Sequence, residues 1–274
     1  MLDLSAAVDT IDHITVLSRL EQQFSFAEQP LQWVASYLSD RFQTVSIDGK
    51  VSEPVLLTFS VPQGSVLGPK FYTMYTKPVG EICKKHGLGH HFYADDSQLY
   101  LSFEPTDGAA QDETLNRVEK CLHDIISWMN TNMLKLNTDK TEVRIFSSQN
   151  NAKYVDGLTI KVGDSTIKPS QYVRNIGAWF DSRMNMEHHI NAISRSCFGQ
   201  IRQIGHIRQY LTPNATKSLV NSLVTSRLDY CNALLYGTQT SAIKKLQNVQ
   251  NTAARVITRT SRYSHITPIL KELH

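Results

Sequence analysis

Cysteine is scarce in this chain, with four in 274 residues, and Cys83, Cys121, Cys197 and Cys231 are too scattered for a zinc site. Such sparse usage suggests a reducing compartment rather than a disulfide scaffold. Long apolar runs are missing as well, so no segment is long enough to span a bilayer. The opening Met1-Leu2-Asp3 carries no signal-peptide pattern. An intracellular protein of nucleus or cytoplasm, with no membrane partner, is therefore expected. Net charge is also low, at +3, but it hides an asymmetry. Residues 1–186 hold 17 Lys and Arg against 22 Asp and Glu, net −5, whereas residues 187–274 hold 11 against 3, net +8. An acidic part joined to a basic part suits metal chemistry beside a gripped phosphate backbone. The pairs His90-His91 and His188-His189 read as surface or satisfied polar residues, since neighbours along a strand face opposite ways and chelate poorly.

Hydrophobic residues make up 41% of the chain, enough for one large or two modest domains with real cores. Leu2-Asp3-Leu4 reads as the end of a buried strand running into a helix, with Asp9 as N-cap and Ile11, Ile14, Leu17, Leu20 and Phe24 at helical spacing. A short helix over Leu31 to Leu38 follows. Thr44 to Ile47 and Val51 to Phe59 form a hairpin about Asp48-Gly49. Pro69 suits the first position of a helix carrying Phe71, Tyr75, Val79 and Ile82, which Pro78 should kink or break. A long amphipathic helix carries Leu115, Val118, Leu122, Ile125, Ile126 and Met129. Val143 to Phe146 returns as a strand, and a small hairpin turns at Gly163-Asp164. From Met186 onward helices dominate, one starting near Pro213. Strands and helices alternating around an antiparallel hairpin indicate an α+β class rather than a parallel doubly wound sheet.

Chemistry concentrates in His91-Phe92-Tyr93-Ala94-Asp95-Asp96-Ser97-Gln98-Leu99-Tyr100. Two apolar-rich strands flank an Asp pair, and Asp tolerates the backbone angles of a tight turn. Adjacent carboxylates repel unless a cation bridges them, and oxygen ligands on a rigid turn suit Mg²⁺. Asp-Asp at a turn is more often only a solvated loop. A second acidic segment raises the odds: Asp3 sits at a strand's carboxyl end, where a neighbouring hairpin tip can meet it. Two-metal phosphoryl-transfer sites need carboxylates from at least two chain segments, a requirement that Asp3, Asp95 and Asp96 meet. Between them, Ser60-Val61-Pro62-Gln63-Gly64-Ser65-Val66-Leu67-Gly68-Pro69 is a stiff loop whose glycines permit close approach of a nucleotide or template base. Taken alone it is an ordinary strand-to-helix connection.

In order and spacing, Leu-Asp-Leu-Ser-Ala-Ala-x-Asp, Val-Pro-Gln-Gly-Ser-Val-Leu-Gly-Pro and Tyr-Ala-Asp-Asp resemble the first three palm motifs of reverse transcriptases from LINE-type (non-LTR) retrotransposons. Trp128-Met129-Asn130 with Leu134 to Glu142 is similar to the family's fourth palm motif, and Val173-Arg174-Asn175-Ile176-Gly177-Ala178-Trp179-Phe180-Asp181 to its primer-grip region. Val224 to Asn232 and Leu246 to Arg255 match segments downstream in these elements. The resemblance implies a polymerase palm over residues 1–185 and a basic, mainly helical thumb-like region over residues 186–274. It implies Asp3, Asp95 and Asp96 as catalytic metal ligands of an RNA-directed DNA polymerase using Mg²⁺, or Mn²⁺ in its place. RNA template, DNA primer and deoxynucleoside triphosphates would be its partners. Gln63 and Gly64 would lie near the templating pair, Val8 beside the nucleotide sugar, and Lys140 near the leaving pyrophosphate. A solvated turn lysine is an equally good reading of Lys140. Arg195 and Arg202, seven apart on one helical face, and Arg208 after them are candidate contacts to the nucleic-acid backbone.

Several positions depart from the family pattern. Val8 stands where the family has an aromatic ring that blocks a ribose 2′-hydroxyl, so weaker sugar discrimination is expected. Ser60 and Lys70 stand where Gly and Leu are usual; Ser60 makes the loop less permissive. Asp3 lies two residues from the chain start, on a strand without its upstream half, which is expected to fray. The fingers and endonuclease that flank such palms are expected to be missing, which makes weak or absent activity by this fragment the expectation. The alternatives are an inert nucleic-acid-binding remnant and a metal-dependent nuclease or phosphatase; the Pro-Gln-Gly loop and primer-grip-like segment count against hydrolysis.

Overall fold

Apolar side chains at helical spacing and short alternating strands settle into two compact units in the computed structural model, which describes residues 1–5, 9–62 and 64–273. The first unit comprises residues 1–143 and 150–170, the second residues 144–149 and 171–274. The mixture of helices and small antiparallel sheets is α+β, as the sequence pattern indicated.

In the first unit, β1 (Asp3–Ser5) leads to α1 (His13–Phe24) and α2 (Glu28–Leu38). The N-cap of α1 is Asp12, not Asp9: its carboxylate accepts from Thr15 N at 2.7 Å and from Thr15 Oγ1 at 2.6 Å, while Asp9 lies in the preceding turn. A cap must stand immediately before the first turn to reach its free N–H groups. Four two-residue strands follow, β2 (Phe42–Gln43), β3 (Ser46–Ile47), β4 (Lys50–Val51) and β5 (Val55–Leu56), pairing β3 with β4 about Asp48-Gly49 and β2 with β5 outside them. This ribbon leaves Phe42, Val45, Ile47, Val51, Val55 and Leu56 exposed.

Helix α3 (Gly68–Lys85) runs through Pro78 without interruption, contrary to the expected break. An internal proline costs about 3 kcal/mol. Burial of Phe71, Tyr72, Tyr75, Val79 and Cys83 along the same helix outweighs it, at roughly 1.5–3 kcal/mol for each large side chain. The hairpin of β6 (Gly89–Tyr93) and β7 (Asp96–Tyr100) is followed by α4 (Gly108–Thr131), whose buried stripe is Cys121, Leu122, Ile125 and Met129. Strand β8 (Lys135–Asn137) pairs antiparallel with β1, and α5 (Ala152–Val155) precedes the hairpin of β9 (Ile160–Val162) and β10 (Ser165–Ile167). Among the described residues, 143–146 form no strand; Val143 O accepts from Ser170 N at 2.9 Å. Arg19 is buried where α1 meets α3: its guanidinium donates to Tyr75 O and Asn132 Oδ1 and lies over the Tyr75 and Trp128 rings. Cys83 and Cys121, scattered in sequence, are both buried in this core; the nearby Cys121 thiol and burial push the Cys83 thiol upward.

The second unit opens with the hairpin of β11 (Tyr172–Asn175) and β12 (Ala178–Asp181). Helices α6 (Glu187–Ile207), α7 (Pro213–Val220), α8 (Ser226–Asp229), α9 (Thr240–Thr258) and α10 (Ile266–Leu273) complete it. Cys197, Ile201, Ile204, Val220, Val224, Leu228, Val249 and Ala253 form its core. Between α7 and α8, Asn221–Thr225 winds as a π-helix, so the chain from Pro213 to Asp229 is one helical path with a widened turn. Among the described residues no helix is long and apolar enough to cross a membrane.

Candidate active site

Strand β1 is held on both sides. On one, Asp3 to Ser5 pair with Asn137 to Lys135; on the other, Leu2 bridges Ser97 antiparallel, with Leu2 N donating to Ser97 O at 2.8 Å. Glu142 N also donates to Met1 O at 3.0 Å. The expected fraying at Asp3 is thus opposed by backbone bonds from β7 and from the segment after β8. Leu2 and Leu4 are buried, so period-two alternation turns Asp3 to the opposite face. Continuing the Leu2–Ser97 register by one residue sets Asp3 beside Asp96.

The β6–β7 register pairs Tyr93 with Asp96 and leaves Ala94 and Asp95 as a two-residue turn. Ala94 takes φ +53°, a left-handed conformation that tight hairpins require and L-residues resist. The Asp96 carboxyl is held above the ordinary carboxylate range, first by burial and then by the charges of Asp95 and Asp3. Asp95 in turn acts with burial to push the phenol of Tyr72 upward. Tyr72, from α3, is a neighbour of the acidic turn that sequence reading missed; its place in the buried stripe of α3 was its only signal.

Lys140 Nζ stands 3.8 Å from Asp3 Oδ2, with both side chains partly in solvent, a pair of small energetic weight. Three carboxylates from two segments are hard oxygen donors that suit a divalent cation. Among the described residues, no three His, Cys, Asp or Glu side chains are close enough together to hold a metal ion. The donor chemistry fits a divalent ion, while the spacing of the described side chains does not by itself form a site.

The other sequence candidates fall in different places. Val8 and Gln63 lie outside the described residues. Gly64 takes φ +79° in an exposed turn with open space around it. Ser60 adopts φ +80°, which gives a physical reason for glycine at that point; Ser60 N donates to Ile11 O at 2.8 Å and His13 Nε2 lies 2.7 Å from Ser60 O, so the neighbours hold the conformation. Arg195 and Arg202 are exposed on α6. Arg208 is not presented to solvent: its guanidinium donates to Val256 O, Leu211 O and Ile257 O at 2.7 to 2.8 Å, capping the end of α9. Asp181, quoted from the sequence without a role, anchors the start of α6 by accepting from the backbone N–H groups of Arg183, Asn185 and Met186.

A family model described as reverse transcriptase (RNA-dependent DNA polymerase) matches residues 1–171. A probable RNA-directed DNA polymerase from transposon BS of Drosophila melanogaster is 26% identical over 288 residues, covering 100% of this chain and 30% of the relative. RNA-directed DNA polymerases from the mobile element jockey of Drosophila melanogaster and Drosophila funebris are each 24% identical, covering 71% of this chain and 21% of the relative. The chain thus spans less than a third of the length of these relatives.

Proposed function

The chain belongs to the reverse transcriptase (RNA-dependent DNA polymerase) family, in its LINE-type, non-LTR branch, and from that premise we propose that Asp3, Asp95 and Asp96 form the metal-dependent centre of a nucleotidyl-transfer site. The observation that carries this reading is the Leu2–Ser97 bridge, whose register sets Asp3 beside Asp96 with Asp95 in the adjoining turn; burial and then the charges of Asp95 and Asp3 raise the Asp96 carboxyl. Such converging negative charge is what a divalent cation relieves. When bound, Mg²⁺ or Mn²⁺ would polarise the α-phosphate of a deoxynucleotide and make a primer 3′-hydroxyl more nucleophilic.

The chain's own residues supply the rest. Asp95 and Asp96 on the hairpin and Asp3 on β1 would hold the ion. Lys140, exposed beside Asp3, supplies positive charge for a leaving pyrophosphate. By the family resemblance Gln63 and Gly64 would lie near the templating pair and Val8 beside the nucleotide sugar, so a Val8→Phe variant would favour deoxynucleotides more strongly. In this reading the palm extends over residues 1–185. The basic helices of residues 186–274 hold template and primer, with Arg195 and Arg202 on phosphates.

Primer extension on an RNA template with Mg²⁺ and deoxynucleotides, comparing the chain with Asp95→Asn, tests the proposal. Extension lost in the variant is the expected result. Folded protein that binds the duplex in a salt-dependent way without extending it would replace this reading by the inert nucleic-acid-binding one.

A further inference from the structure

The turn of the β11–β12 hairpin is chemically unsuited to its shape. Asn175 pairs with Ala178, leaving Ile176 and Gly177 as the two central residues, with φ +43° and +81°. A two-residue turn with both φ values positive favours Asn-Gly or Gly-Gly, and a β-branched residue in the left-handed region is a marked outlier. A strained residue persists where its surroundings over-determine it, and such residues cluster at functional sites.

One side chain among these surroundings is Tyr230. Tyr230 Oη donates to Ile176 O at 2.7 Å, although 54 residues separate them. Its ring lies so close to Gly177 that an added Cβ would stand 3.2 Å from Tyr230 Cε1. Tyr230 follows α8 directly and is aimed by an unusual helical path. The π-helical turn at Asn221–Thr225 shifts the phase of the residues after it, and α8 ends on the extended backbone of Tyr230 itself (φ −62°, ψ 120°), with left-handed Cys231 (φ +57°) next. Single π-turns within α-helices recur at functional sites. The core fixes this path, since Val224 is fully buried and Cys197 Sγ lies 3.9 Å from Val224 O. Two sequence segments noted separately, Val173 to Asp181 and Val224 to Asn232, therefore meet at one hydrogen bond.

We propose that Tyr230 is a positioning residue: it latches the Ile176-Gly177 turn into one strained conformation, so that the hairpin tip meets the terminus of a primer strand in a fixed place. This rests on the polymerase reading given above. The latch belongs to the downstream helical segment, so the downstream region contributes to primer placement through its contact with the turn as well as through its charge.

The test uses the full chain, Tyr230→Phe, which keeps the ring and removes the hydroxyl, and Tyr236→Phe as a control at an exposed tyrosine. Amide hydrogen exchange is read without nucleic acid. An RNA–DNA primer–template carrying 2-aminopurine at the primer 3′ end then reports affinity by anisotropy and terminus placement by fluorescence. In Tyr230→Phe, exchange within residues 172–181 should rise about threefold to tenfold, the size expected for one lost hydrogen bond. Exchange in α9 should stay unchanged and the terminal fluorescence response should fall by about half or more, while Tyr236→Phe changes neither. Unchanged exchange overturns the latch. Raised exchange with an unchanged terminal response overturns the positioning role and leaves Tyr230 a structural tie. Failure of the unmodified chain to bind the duplex overturns the polymerase reading, and the exchange result shows separately whether the latch exists.

Discussion

Of the two-residue hairpin turns among the described residues, those at Ala94-Asp95 and Ile176-Gly177 each place a residue other than Gly, Asn or Asp at positive φ. They differ in what holds the turn. The second is fastened by the Tyr230 hydroxyl. The first is exposed at its tip and carries like charge; burial first, and then the charges of Asp95 and Asp3, make it harder for Asp96 to ionise. An over-determined turn suits contact with a partner whose position must be fixed. A turn under electrostatic stress suits the capture of an ion that removes the stress.

The most severe break of this comparison is Asp3→Asn. Although Asp3 lies on β1 rather than on the hairpin, extension should fall as completely as in Asp95→Asn, by on the order of a thousandfold or more. Secondary structure followed by circular dichroism should not change. Extension within tenfold of the unmodified chain would remove β1 from the site.

Arginines on one basic region sharpen the contrast next. Arg208→Met strands carbonyls at the end of α9 and should cost about 2–4 kcal/mol in urea denaturation, with no change in the salt dependence of duplex binding. Arg195→Gln with Arg202→Gln should do the reverse, lowering the slope of log affinity against log salt by about 2 at unchanged stability.

Smaller effects follow at the strained residues. Ser60→Gly and Ile176→Asn should each raise stability by about 1 kcal/mol, seen as a thermal midpoint a few degrees higher. A lower midpoint in either would mean that the neighbours favour the present side chain more than the backbone resists it.

The smallest effect concerns His189, whose imidazole is held below its ordinary value by burial and then by His188. The unfolded chain protonates this residue first, so its contribution to stability is intact above pH 6.5 and is lost as pH falls through that value. His189→Asn should flatten the profile between about pH 7 and 5. A profile identical to that of the parent would assign the pH dependence elsewhere.

The acidic hairpin was legible because it depends on adjacent residues: apolar runs on either side of Ala94-Asp95 define strand, turn and strand. The helices carrying Phe71 and Leu115 and the Gly163 hairpin were legible for the same local reason. Asp9 was misread because two acids three positions apart offer the same cap, and only the backbone decides for Asp12. The continuity of α3 through Pro78 depends on tertiary burial that outweighs a local rule. The Cys83–Cys121 contact, the role of Arg208 and the Tyr230–Ile176 bond join residues 38 to 54 apart, and no local pattern announces such partners.

The central claim is that Asp3, Asp95 and Asp96 hold a divalent cation against their own repulsion. Calorimetric titration with Mn²⁺, repeated in two buffers of different ionisation enthalpy, tests it most directly. The account predicts a site lost in Asp95→Asn, with proton release on binding that grows as pH is lowered towards the raised value of Asp96. Equal Mn²⁺ binding by parent and variant, or binding without proton release, would contradict it.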